Sequence, residues 1–187
     1  MNVLAGRTAS TKGLKLTGEV QVNNTRVHNW DSYRNRVAFV EQDDLLFHTL
    51  TVKETLVLAA HLRLPREFTH AQRMEKVDEV VSELGLRKCV DTRIGNAKTR
   101  GVSGGERKRT SIALAILRGP TVLFLDGGLN CCILEREKKI TRAECTSGLD
   151  SFQAVRVVTT IKNLASKSNR TVVVRWCVVQ SPLTLKM

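Results

Sequence analysis

The sequence predicts an α/β fold: a mostly parallel sheet with helices packed on it and a helical segment inserted between its strands. Three observations predict it. The runs Val37–Val40, Val122–Leu125 and Thr171–Val174 are short and β-rich with no polar alternation, the pattern of strands buried in a parallel sheet. Between the first two runs the hydrophobic period changes to that of helices. The second run delivers Asp126 at its carboxyl end, the edge of an open α/β sheet where ligands bind.

Taken in chain order, Thr17–Val22 reads as a strand that closes in a turn at Asn23-Asn24, and Val37–Val40 as the next strand. Thr51-Val52-Lys53-Glu54 matches a capping box, in which hydroxyl and carboxylate each satisfy an orphan amide at a helix start. That helix should run to about Leu64, because Pro65 cannot continue it. Met74, Val77, Val81 and Leu84 fall at helical spacing and predict a second helix with Gly85 as its cap. Residues 127–143 show no convincing period and read as an inserted loop. Ala154, Val157, Ile161 and Leu164 mark one face of a later helix that leads to Thr171–Val174. A single domain over 1–187 is expected. Its α/β core covers 1–42 and 119–174, its helical subdomain 43–118, with an atypical insert at 127–143 and an atypical tail at 175–187.

Composition narrows the class. With 187 residues, 42% hydrophobic and 26% charged, the chain is long and apolar enough for one real core. The longest clean apolar stretch, Ile112–Leu117, is far short of the ~20 residues that cross a bilayer, so the chain is expected to be soluble by itself. Met1–Arg7 lacks the basic start and apolar core of a secretory signal, and an intracellular location is the default expectation. The five cysteines are odd in number and form no C-x-x-C pair, which supports neither a disulfide framework nor a zinc site. A net charge of +12 would suit nucleic acid or an anionic membrane face. Aromatic residues are only 4% and the basic residues are dispersed, so no nucleic-acid partner is expected.

Ser103-Gly104-Gly105-Glu106 is a second capping box, and its two glycines keep the first turn free of side chains. A bare helix start is an anion site, since its amides and positive dipole end can approach a phosphate closely. For S-x-x-E alone an ordinary capped helix would be the better reading. The longer string Val102-Ser103-Gly104-Gly105-Glu106-Arg107-Lys108-Arg109 changes the odds, because it resembles the signature loop of the ATP-binding cassette family. Gln42, just after a strand, is similar to that family's Q-loop glutamine, and Asp126 resembles its Walker B aspartate. Thr146-Ser147-Gly148-Leu149-Asp150-Ser151 looks like its D-loop. All four occur in family order. Phe39-Val40-Glu41-Gln42-Asp43-Asp44 and Glu106-Arg107-Lys108-Arg109 resemble the G-type half-transporters, the white and pleiotropic-drug-resistance group.

The resemblance implies a P-loop NTPase-like, RecA-like sheet with an inserted helical subdomain that carries the signature. It implies ATP and Mg2+ as cofactors, and two cassettes closing head to tail over two ATP molecules. Gln42 and Asp126 would contact magnesium through water, and Ser103, Gly104, Gly105, Glu106 and Asp150 would face nucleotide. A second cassette and a transmembrane domain are the implied partners, which would hold the chain at the cytoplasmic face of a membrane.

Three departures stand against that pattern. The family's phosphate loop, G-x-x-x-x-G-K-[ST], is approached only by Gly6–Gly13, where Thr11 replaces the second glycine and Gly13 the hydroxyl. In the family a segment like Met1–Arg7 directly follows that loop. The catalytic glutamate normally adjoins the Walker B aspartate, but here Gly127 follows Asp126, and Glu144-Cys145-Thr146-Ser147-Gly148-Leu149-Asp150 reproduces the rest of the string. Glu144 is therefore the displaced candidate base. The switch histidine expected after Val174 is replaced by Arg175-Trp176-Cys177. Each break is abrupt and flanked by preserved motifs, the pattern of a misassembled reading frame.

Two functions compete: an ATPase half of a membrane transporter, impaired in this chain, and a non-catalytic module that supplies only its signature face to a partner's ATP. A soluble family member acting on ribosomes or nucleic acid would better explain the charge, but the G-type strings favour a transporter.

Overall fold

A computed structural model describes residues 2–7, 17–22, 25–27, 33, 35–96, 98–126, 151–167 and 170–175. Among the described residues the sheet has three parallel strands, β3 (Val37–Val40), β4 (Val122–Asp126) and β5 (Thr171–Arg175), in the order β3-β4-β5. Register pairs Val40 with Leu125 and Leu125 with Val174. Parallel neighbours need a crossover between them. The β3-to-β4 crossover holds helices α1 (Val52–Arg63), α2 (His70–Glu83) and α3 (Gly104–Ile116), and the next contains α4 (Ser151–Lys167). A small antiparallel pair, β1 (Gln21–Val22) and β2 (Thr25–Arg26), precedes the sheet. The strand expected over Thr17–Val22 is thus confined to its last two residues, where a partner strand exists to pair with it.

β4 lies in the middle, and its apolar run is buried accordingly, with Leu123 at 0% and Leu125 at 1% exposure. In β3, at one edge of the described sheet, Val40 is buried and the other three residues are half-buried.

The helices start and stop where local chemistry dictates. Capping boxes at Thr51/Glu54, Thr69/Gln72 and Ser103/Glu106 open α1, α2 and α3. α1 ends at Leu64, held extended at ψ 151°, as the residue before Pro65 must be. α2 ends in a Schellman motif: Gly85 takes φ 63°, its N–H donates to Ser82 O, and Leu86 N–H donates to Val81 O. Arg73 then clamps the α1–α2 turn, donating to the carbonyls of Ala60, Phe68 and Pro65. These include an acceptor in the last turn of α1, where a cation is favoured.

α3 is buried almost all round and packs against β3, α4, α1 and α2. One continuous core therefore joins the helical segment to the sheet, running from Leu56, Leu84 and Ile94 through Ile112 and Ile116 to Leu123, Val157 and Leu164. Among the described residues no helix is long and apolar enough to cross a membrane.

Candidate nucleotide-facing site

The carboxyl ends of β3 and β4 bring two of the expected site residues together. Gln42 follows β3 by two positions and Asp126 is the last residue of β4. Both line a cavity of about 370 Å³ with Asn2, Arg7, Phe39, Glu41 and Asp43. Arg7 spans the cavity wall: its Nη2 donates to Glu41 Oε1 at 2.7 Å, and its guanidinium lies 4.5 Å from the centre of the Phe39 ring. Phe39 in turn stacks on Phe124 of β4, with ring centres 6.4 Å apart. Asp126, Asp43 and the Gln42 amide supply oxygen donors of the kind a hard divalent cation takes. The described residues hold no group of three or more His, Cys, Asp or Glu side chains poised on a metal. These oxygen donors fit an ion that also takes phosphate and water oxygens.

The start of α3 is built separately. Ser103 Oγ accepts from Glu106 N–H at 3.3 Å, and Glu106 Oε2 accepts from Ser103 N–H and from the Ser103 hydroxyl, both at 2.9 Å. Burial pushes the Glu106 carboxyl up, but the two hydrogen bonds from Ser103 and the charge of Arg109 outweigh it and leave its pKa below the usual carboxylate value. The same packing acts on Cys89, whose thiol is pushed up to about 11 by burial and then by the Glu106 charge.

Two positions in the loop ahead of Ser103 leave no room for a side chain. Gly95 has φ 70°, and a Cβ on Gly101 would fall 2.3 Å from Ile94 O. Arg107 reaches back from the first turn of α3 to the carbonyls of Ile94 and Gly95, and Val102 N–H donates to Arg93 O. Ser103 is thus placed by backbone-to-backbone contact on one side and by its helix on the other.

Of the residues singled out from the sequence, Gln42 and Asp126 share one cavity, while Ser103, Gly104, Gly105 and Glu106 form the capped start of α3 outside its lining. Glu144 and Asp150, the insert at 127–143 and the segment after Arg175 lie outside the described residues. In the sequence Lys108 is one residue of the string Val102–Arg109. In the fold it is 2% exposed, and its Nζ donates to Glu41 O, Gln42 O and Asp44 Oδ1 at 2.8, 3.1 and 3.1 Å. It joins α3 to the segment that carries Gln42 across more than sixty residues of sequence. No local pattern signals such a contact. Arg7, whose partner Glu41 is also distant in sequence, carries no local signal either.

A family model described as ABC transporter matches residues 1–130. Among curated proteins, ABC transporter G family member 25 of Arabidopsis thaliana is 43% identical over 173 residues, which cover 92% of this chain and 23% of that protein. ATP-binding cassette sub-family G member 8 of Homo sapiens is 46% identical over 141 residues, covering 75% of this chain and 18% of that protein. The chain thus spans about a fifth of the length of these relatives. Among solved structures, cbiO1 from Clostridium perfringens, described as part of the ABC transporter complex cbiONQ, superposes with a TM-score of 0.60 at 18% identity. That superposition covers 84% of this chain and 55% of the other, and it shows the fold.

A parallel sheet whose central strand ends on Asp126, packed with a helix that opens on Ser-Gly-Gly-Glu, gives an α/β fold consistent with the P-loop NTPase-like class. The chain belongs to the ABC transporter family, and within it to the G subfamily.

Proposed function

We infer that this chain acts as part of the ATP-binding cassette of a G-type half-transporter, in which ATP binding and hydrolysis by paired cassettes drive transport through a transmembrane partner domain. The observation that carries the inference is the cavity at the carboxyl ends of β3 and β4 that Gln42 and Asp126 share. Asp126 would hold Mg2+ through water, and Gln42 would approach the ion or the attacking water. Bound MgATP would supply the phosphates and the cation; the chain's own residues bind and orient them. In this reading 1–42 and 119–174 are the α/β core and 43–118 the helical subdomain. The cassette works at the cytoplasmic face of a membrane, reached through the partner domain.

A second reading concerns this polypeptide in particular. Its α3 start is fully capped, whereas the sequence contains no G-x-x-x-x-G-K-[ST]. In this reading these 187 residues supply no loop of that kind, whose amides and lysine cradle phosphates. Its contribution is then the signature face offered to a second cassette's ATP, with Ser103, Gly104, Gly105, Glu106 and Asp150 toward that nucleotide.

Equilibrium binding and turnover of MgATP by the purified 187-residue chain test this. Weak binding and negligible turnover are expected. Turnover near that of a complete cassette, abolished by Glu144→Gln, would show instead that the displaced glutamate is a working base and that the chain is a complete enzyme.

A further inference from the structure

A lysine at 2% exposure is uncommon, since an ammonium withdrawn from water must recover all its hydrogen bonds. Lys108 does so: its three N–H donors match three acceptors, the carbonyls of Glu41 and Gln42 and the carboxylate of Asp44, itself only 14% exposed. Two of these acceptors are backbone atoms at and beside Gln42, so the contact fixes the course of the main chain there. The other end of the tether is the second turn of α3, whose first turn is Gly104-Gly105-Glu106.

We propose that Lys108 is a positioning residue: it holds the Gln42 segment to the signature helix, so that the amide of Gln42 and the capped start of α3 keep a fixed relation. The geometry requires a cation with several N–H donors on a long stem. Met has the stem without the donors; Arg keeps donors in a planar fork that meets the three acceptors less well. The proposal rests on the nucleotide-facing reading for its meaning in catalysis. The tether itself can be measured without nucleotide.

The test is amide hydrogen exchange of the full 187-residue chain, read segment by segment. In Lys108→Met, exchange across residues 41–46 is expected to accelerate about tenfold, the loss of charge-assisted hydrogen bonds, while residues 56–60 of α1 and 77–84 of α2 keep their wild-type rates. Lys108→Arg is expected to fall between wild type and Lys108→Met. Asp44→Ala, which leaves both carbonyl contacts, is expected to accelerate residues 41–46 by a smaller factor. That variant decides the matter if Lys108→Met does not fold. Unchanged rates at 41–46, equal acceleration in every segment, or a Lys108→Arg chain no better than Lys108→Met would overturn the proposal. Failure of the nucleotide-facing reading shows separately, as rates at 41–46 and 101–107 that do not respond when MgATP and a complete G-type cassette are added to the wild-type chain.

Discussion

Glu106 closes the capping box that opens α3. Its carboxylate reaches back to the Ser103 amide and hydroxyl, and these bonds with Arg109 leave it ionised below the usual range in spite of its burial. A carboxyl whose pKa is lowered in the folded state contributes stability that is complete above the unfolded value, near 4.5, and disappears as pH falls through the folded value. The wild-type unfolding free energy is therefore expected to drop on acidification from about pH 5 to about pH 3, and less steeply in Glu106→Gln, which keeps an acceptor but cannot titrate. Denaturant unfolding across that range checks it; identical slopes would contradict the account. Some slope remains in the variant, because Glu54 is also shifted down by its hydrogen bonds to Thr51. Both boxes were legible in the sequence because acceptor and donor lie three residues apart, where the helix brings them together whatever else the chain does. Lys108 was not legible as a tether. Its partners lie on another element, and a lysine in an amphipathic stretch ordinarily snorkels to water.

At the scale of the element, the segment 94–103 decides where α3 begins. The φ of Gly95 and the close approach of Gly101 to Ile94 are positions that only glycine fills. Gly101→Ala forces carbonyl and methyl apart and is expected to cost about 1–3 kcal/mol, as overpacking does. It should also shift Ser103, so near-neutral stability by thermal or urea unfolding would show that the loop relaxes freely and that its close packing does not place the helix. The sequence predicts α1 at both ends and α2 at its carboxyl end, because a capping box, Pro65 and Gly85 are local stops. Thr69 and Gln72 carry the same capping pattern as Thr51 and Glu54, and they fix the start of α2, which its apolar spacing alone leaves open. Arg73 shows the opposite case: a cation within an otherwise ordinary helix, whose role as clamp on the α1–α2 turn exists only once α1 has folded beside it.

For the molecule as a whole, the parallel sheet and its central strand followed from apolar runs without alternation, and Asp126 stands where such a strand should deliver a ligand-binding group. Less visible beforehand was that α3 belongs to two structures at once. It carries the Ser-Gly-Gly-Glu start in the helical segment and packs against β3, so that a single core runs through both. Displacement of that helix is felt at the sheet because close-packed interiors transmit strain. In the proposed function the capped start of α3 would face a phosphate held by a second cassette. Gly104→Asp tests it most directly: Gly104 is exposed in the first turn, where an added carboxylate suits the helix dipole but repels an approaching phosphate. The measurement is retention of labelled ATP by a complete G-type cassette mixed with either chain. The account predicts that the wild-type chain raises retention and that Gly104→Asp, equally stable to heat, does not. Equal retention with both chains would contradict it.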